Sequence, residues 1–234
     1  MAGEGGLWFP RACAVCGKEL IPGEQMLCVH CLFHLPKTYH WQSYSNALRS
    51  SFDTLPGLTC AIAFLYFRET SPYRKMLHRF KYGGMCDIGL YMGGLFGKEL
   101  RDESGPVPGL TPSEIREERN PVLVPVPMSA AKRRKRGYNQ AEWLAAGLSA
   151  ATGWPLDVTA VRRVKEKTSQ TVYNKEARRE NMKNAFRAKV LSYPEIFLVD
   201  DVVTTGATME SCAQALWDKN PDLKLGFLSL AFVE

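Results

Sequence analysis

The sequence predicts a mixed α/β protein: a mostly parallel sheet flanked by helices, with a small cysteine-rich module ahead of it. Three observations lead there. Between residues 60 and 233, strand-length apolar runs alternate with segments of helical periodicity, the order that the crossovers of a parallel sheet require. Residues 1 to about 50 hold four of the seven cysteines and three of the four histidines, with no convincing amphipathic period. The apolar run 196–199 leads through two acids into a Thr/Gly turn and a helix start, a sequence suited to holding an anion.

In chain order, residues 1–55 are expected to form the module and 56–234 the α/β unit. Residues 60–67 (CAIAFLYF) read as the first strand. Ser71 followed by Pro72 opens a helix with Tyr73, Met76, Leu77 and Phe80 on one face, closed by Gly83-Gly84. Asp87 caps a second helix to about Leu100, whose Gly89, Gly93, Gly94 and Gly97 are expected to allow close packing against the sheet. Pro106, Pro108, Pro112 and Pro121 make 101–121 a loop, with a short capping-box helix at Thr111 to Glu114. Residues 122–127 (VLVPVP) form a second strand with two prolines limiting its ladder. Asn139 caps a helix carrying Ala141, Leu144, Ala145 and Leu148, ended by Thr152-Gly153. Third and fourth strands follow at 158–164 and 196–199. A helix after Thr208 buries Met209, Cys212, Ala213, Leu216 and Trp217, and 223–233 supplies the last strand. No internal repeat is visible.

Composition excludes several classes. A chain of 234 residues, 45% apolar and 23% charged, is globular rather than disordered or fibrous. Its longest apolar stretches, 60–67 and 122–131, are strand-sized or broken by proline, so no membrane span is expected. No basic region followed by an apolar one marks a signal peptide, so the expected compartment is the cytoplasm, where cysteines serve as thiols or metal ligands rather than disulfides. Charge is uneven: residues 129–189 hold 15 Lys and Arg against 5 Asp and Glu, a surplus of ten. The whole chain carries +6, so everything outside that segment is net acidic by four. A single basic run is usually a solvated face, but a surplus this concentrated points to an anionic ligand, phosphates or nucleic acid.

Cys13 and Cys16, and Cys28 and Cys31, are two CxxC pairs separated by 11 residues. Each pair can place two thiolates on one tight turn, and two such turns complete the tetrahedral S4 shell of a structural zinc. The alternative, four buried free cysteines, leaves a short segment with little apolar content to fold unaided. His30 and His34 are near enough to compete as ligands but are assigned to the surface or the outer shell. A closed S4 shell has no open position, so the metal is structural. Cys60, Cys86 and Cys212 lie in apolar stretches and read as core residues.

The stretch 196–208, IFLVDDVVTTGAT, carries the most chemistry. Backbone N–H groups of the turn and the helix N-terminus can wrap a phosphate, Gly206 allows close approach, and Thr204, Thr205 and Thr208 add hydroxyls. Adjacent carboxylates at Asp200 and Asp201 repel each other unless hydroxyl donors or a cation compensate, and a ribose diol with a divalent metal would supply both. The bland alternative is an ordinary helix start.

These thirteen residues resemble the phosphoribosylpyrophosphate (PRPP) signature of type I phosphoribosyltransferases. More of the chain resembles one branch, the ComF family linked to DNA uptake in natural competence. The likeness is carried by the CxxC pairs, Lys81 after the first helix, PVPMSAAKRRKRGYNQAEWLA at 125–145 and KTSQTVYNKEARRENMKNAF at 167–186. The resemblance implies a type I phosphoribosyltransferase-like sheet. It implies that Asp200 and Asp201 hold the ribose hydroxyls and that Thr204, Thr205, Gly206, Ala207 and Thr208 hold the 5′-phosphate. Met128 and Ser129 would form the pyrophosphate loop, with Arg133 and Arg136 facing pyrophosphate. Gln170, Arg178 and Arg179 would face pyrophosphate too or lie in a mobile loop over the site. Two departures matter. Purine-salvage relatives commonly place an acid where this chain has Thr204, which argues against purine salvage. Met1-Ala2 offers no N-terminal cysteine nucleophile, so glutamine-dependent amination by this chain alone is not expected.

The resemblance implies a Mg-dependent enzyme that displaces pyrophosphate from PRPP, with zinc as structural metal and magnesium as cosubstrate ion. The alternative is a non-catalytic PRPP or nucleotide sensor, or an adaptor for single-stranded DNA. The basic run Lys132, Arg133, Arg134, Lys135 and Arg136 would then grip the backbone, and Tyr138 and Trp143, the latter off the apolar stripe, would stack bases. A third reading, a metal-module contact to competence-machinery proteins, rests on exposed aromatics such as Trp8, Tyr39 and Trp41.

Overall fold

Alternating apolar runs do become strands and helices in the computed structural model, which describes residues 11–43, 45–55, 57–101, 121–164 and 185–233. The strands are β1 (Leu58–Phe67), β2 (Val122–Pro125), β3 (Val161–Arg163), β4 (Phe186–Ala188), β5 (Glu195–Val203) and β6 (Lys224–Val233). The helices are α1 (Val29–Phe33), α2 (Ala47–Ser50), α3 (Arg74–Tyr82), α4 (Asp87–Arg101), α5 (Ala130–Arg136), α6 (Gln140–Thr152) and α7 (Ala207–Trp217). Most of the expected loop at 101–121, its short helix, Trp8, Gln170, Arg178 and Arg179 lie outside the described residues.

β1, β6, β5 and β2 form one sheet in that order, every pairing parallel. A parallel sheet must be covered on both faces, and this one is. On one face lie α3, α4, α6 and the cysteine module, meeting around Phe64, Phe80, Phe96, Leu144 and Leu148. On the other lie α2 and α7, with Phe52, Met209, Cys212 and Leu216. No helix among the described residues is long and apolar enough to cross a membrane.

Three expectations are corrected. The third strand is short and pairs antiparallel with β4 in a separate two-stranded sheet, Val161 and Phe186 still packing into the second core. The glycines of α4 serve helix packing, not sheet packing: a Cβ on Gly93 would meet Leu144 O of α6 at 2.3 Å, and one on Gly147 would meet Leu90 O of α4 at 2.2 Å. The basic run stands on a short helix, residues 130–136, that Ser129 caps, its Oγ accepting from Lys132 N at 3.3 Å. Trp41 is buried, its ring 5.8 Å from Phe64 and 6.3 Å from Phe96. Apolar area that large is worth about 2 to 3 kcal/mol when removed from water, so it joins the core instead of the surface. Tyr39 stays exposed.

The strand order sets the site. Pro125 pairs with Val199, and Val126 N–H donates to Val199 O at 2.8 Å, so the turn after β2 begins beside the acids of β5. In open α/β sheets this carboxyl-end edge is where ligands bind.

Candidate functional site

β5 does not end at the acids as its sequence suggests. It runs on to Val203 because β6 keeps pairing with it: Asp200 with Ser229, Val202 with Ala231 and Val203 with Phe232. The two side chains meet different neighbours, yet their carboxyl groups stay within hydrogen-bond reach of each other. Asp200 follows Ile196 and Leu198 toward the α7 face, whereas Asp201 follows Phe197 and Val199 toward the α3 face. There Lys81, at the end of α3, brings its Nζ to 3.3 Å from Asp201 Oδ2. Backbone donors add to the pair: Asp201 N–H to Asp200 Oδ1 and Val202 N–H to Asp201 Oδ1, both 2.8 Å. Burial, then the charge of Asp201, pushes the Asp200 carboxyl up to about 8, against the opposing pull of the Asp201 N–H and Lys81.

After β5 the chain turns through exposed Thr204 and Thr205 to Gly206, which has φ 73 and stands at the N-cap of α7. No side chain caps that helix, so its first N–H groups face the turn. Ala207 and Thr208, half-buried, occupy the first turn of α7. Beneath Gly206 lies the ring of Phe52, which a Cβ at 206 would approach to 2.4 Å. Thus a residue from the start of the chain supports the turn from below.

The basic segment rises on the neighbouring side. Met128 and Ser129 are half-buried at the head of α5. Arg133 forms a fork with Glu142, at 2.9 and 3.0 Å. Arg136 donates to Gln140 Oε1 at 3.2 Å and Tyr82 Oη at 3.3 Å, with its guanidinium 4.8 Å from the Tyr82 ring centre. Lys132, Arg134 and Lys135 are exposed. The two rings read as base-stacking platforms are otherwise engaged. Tyr138 Oη donates to Phe80 O, and Trp143 is half-buried against Gly89.

The cysteine cluster forms as its spacing predicts. The sulfurs of Cys13, Cys16, Cys28 and Cys31 all lie within 4.8 Å of one another, and the Cys16 and Cys28 sulfurs are 3.8 Å apart. A tetrahedron with metal–sulfur arms of about 2.3 Å has edges of about 3.8 Å, so the donor set fits an S4 ion. Burial opposes the Cys13 thiolate, but the N–H groups of Cys16, Cys28 and Val15 outweigh it and bring the thiol down to about 6. Burial and the neighbouring thiols push Cys31 up, a repulsion that a dication bound to all four would relieve. His30 and His34 are exposed and outside the cluster, with His34 Nδ1 2.8 Å from His30 O. Cys60 and Cys212 are core residues as expected, while Cys86 is only half-buried.

Sequence reasoning missed the partners. Lys81 stands 120 positions before Asp201, and neither Glu142 nor Tyr82 carries a local mark of pairing with an arginine. Among these, only the position of Lys81 directly after an amphipathic helix hinted at a role.

No family model matches the chain. Competence protein F of Haemophilus influenzae is 29% identical over 208 residues, covering 87% of this chain and 83% of that protein. DNA utilization protein YhgH of Salmonella typhi is 28% identical over 152 residues, covering 63% of this chain and 62% of the relative. Competence protein ComFC of Bacillus subtilis is 35% identical over 109 residues, covering 46% of this chain and 42% of the relative. With the cysteine cluster and the parallel sheet in place, these similarities support the resemblance to the ComF family.

Proposed function

We propose that this chain binds PRPP at the carboxyl ends of β5 and β2 and transfers its phosphoribosyl group with release of pyrophosphate, in the service of DNA uptake. One observation carries the reading: an acid pair, a Thr-Thr-Gly turn and an uncapped helix N-terminus stand in line beside the basic α5 segment. The competence and DNA-utilization names of the relatives support the association with DNA uptake.

In this reading Thr204, Thr205, Thr208 and the N–H groups from Gly206 and Ala207 take the 5′-phosphate. Asp200 and Asp201 accept from the ribose hydroxyls. A desolvated carboxylate beside a second one favours a cation, so the pair fits magnesium as well as the diol, and that ion would offset charge on the departing pyrophosphate. Met128 and Ser129 line the pyrophosphate side, and Arg133 and Arg136 stabilise the charge as the C1–oxygen bond breaks and pyrophosphate leaves with the electron pair. The four-cysteine cluster holds a structural zinc.

The test is calorimetric titration of PRPP with and without magnesium, beside the Asp200→Asn, Asp201→Asn double variant. Magnesium-dependent binding lost in the variant is expected; binding that persists unchanged would sink the site. A second reading, phosphodiester binding, draws on exposed Lys132, Arg134 and Lys135 and on a groove of about 420 Å³ along Arg74, Lys75, His78 and Arg79. It predicts salt-sensitive binding of single-stranded DNA that disappears when the five basic residues 132–136 become alanine. Binding indifferent to that change rejects the α5 surface.

A further inference from the structure

The cysteine cluster and the acid pair are joined by one short element. α3 grips both cysteine turns by their backbone carbonyls. Near its start, the buried Tyr73 donates from Oη to Cys31 O at 2.8 Å. One turn before its end, Arg79 Nη1 donates to Ala14 O at 3.2 Å and Cys13 O at 3.5 Å. Each CxxC pair thus has its own hydrogen bond to α3, and Met76, Leu77 and Phe80 pack in the same core as Cys13, Cys28 and Cys31. Immediately beyond Arg79 and Phe80 stands Lys81, whose ammonium reaches Asp201.

The far end of the helix is tied to the basic segment. Phe80 O accepts from Tyr138 Oη and, at 3.4 Å, from Gln140 Nε2, which also lies 3.4 Å from Lys81 O. Tyr82 Oη accepts from Arg136. From Tyr73 to Lys81 is about 12 Å along a helix at 1.5 Å per residue, too short and too well bonded to bend much. A shift of α3 by about 1 Å in response to the cysteine turns would carry Lys81 beyond ion-pair range of Asp201, because packed cores move elements as bodies rather than deforming.

We infer that the metal-filled cysteine cluster positions Lys81 on Asp201 through α3, so that loss of the metal is felt at the acid pair. Tyr73 and Arg79 are the positioning residues and Lys81 is the group they position. The inference rests on the ion pair and the strut, not on which anion the site takes, so it stands or falls separately from the PRPP reading.

The experiment reads the reactivity of Lys81 toward an amine acylating reagent in the zinc-loaded full chain, by mass spectrometry, with Lys189 as internal reference. Lys189 lies on the opposite side, its Nζ 2.8 Å from Thr159 Oγ1. The Asp201→Asn variant gives the rate for an unpaired Lys81. The decisive protein is the Tyr73→Phe, Arg79→Met double variant, with zinc content and folding checked. We expect bound zinc, unchanged Lys189, and Lys81 acylation raised about fivefold toward the Asp201→Asn rate, the scale of a modest coupling between sites. Chelation of the wild type should raise Lys81 in the same way. A zinc-loaded, folded double variant with Lys81 as protected as in the wild type overturns the inference, whatever its melting temperature. If that variant fails to hold zinc, Tyr73→Phe alone, which removes one hydroxyl, takes its place under the same criterion. If chelation exposes Lys189 as well, unfolding explains that arm and the zinc-loaded variant decides.

Discussion

The cysteine cluster and the acid pair are both charged sites, yet they are built in opposite ways. The cluster draws its four sulfurs from two turns separated by 11 residues, and its internal hydrogen bonds, such as Cys28 N–H to Cys13 Sγ at 3.4 Å, stay within that segment. The acid pair takes its counter-charge from Lys81 and its neighbouring turn from the end of β2, and the turn that follows it rests on Phe52, three stretches far apart in the chain. A local site can be assembled by its own ion, whereas a distributed one exists only once the sheet has formed.

The strongest way to break this contrast is to remove the metal. Four thiols packed within 4.8 Å have no apolar replacement for the bonds an ion supplies. Chelation or Cys28→Ser should therefore cost on the order of 5 kcal/mol or more, since structural zinc binding is itself folding free energy. Thermal melting with zinc content followed in parallel checks it. A melting temperature unmoved by complete chelation would show that the module folds on its hydrophobic core alone.

The distributed site should yield instead to a change at Gly206. An alanine there adopts φ 73 at about 1 kcal/mol and drives its methyl against Phe52 at 2.4 Å, for a total near 3 kcal/mol. Urea unfolding of Gly206→Ala measures the sum. Repeating it in a Phe52→Leu background should recover about half, because the clash needs the ring. Simple additivity of the two changes would mean that Phe52 does not support the turn.

What the sequence could tell follows the same division. Cys13, Cys16, Cys28 and Cys31 are legible because spacing alone fixes the geometry of two short turns. The turn from Thr204 to Gly206 is legible because the strand, the turn and the helix are contiguous. The extension of β5 past Asp201 is not, because it is β6 that keeps the strand extended, and two adjacent acids look locally like an end. Nor is the use of Gly93 and Gly147 against each other's helices, since a glycine records close approach without naming its neighbour. Nor is the burial of Trp41, since an aromatic in a polar stretch carries no sign of the Phe64 and Phe96 rings it will meet.

A gentler probe of the acid pair is pH. The Asp200 carboxyl is raised to about 8 in the fold from an ordinary value of 3.8, first by burial and then by Asp201. The folded state therefore holds a proton that the unfolded chain has given up. Its contribution to stability is complete below about pH 4 and is lost as pH rises through 8. Between pH 6 and 9 the protein should lose about 3 kcal/mol through this group. Asp200→Asn should flatten that slope, as urea titrations at the two pH values would read; a slope unchanged in the variant would place its origin elsewhere. The cysteine cluster, once metal is bound, should contribute no such slope over this range, because its thiolates are held by the ion.

The smallest effect sharpens the contrast most, because it asks whether the basic segment is poised for an anion. Arg133 is spoken for by Glu142 through two hydrogen bonds, and an incoming pyrophosphate must compete with that carboxylate for the same fork. Arg133 is exposed and Glu142 only partly so, and replacing Glu142 with Gln should change stability by no more than about 1 kcal/mol. The freed guanidinium should nevertheless bind pyrophosphate two- to fivefold more tightly, about 0.4 to 1 kcal/mol, the value of an exposed pair no longer to be broken. Titration of inorganic pyrophosphate into Glu142→Gln and wild type decides the matter. Tighter binding makes Glu142 a resident competitor at the site. Equal or weaker binding means that Arg133 serves α6 rather than the ligand, and the anion must then be held by Arg136 and the Thr204 turn.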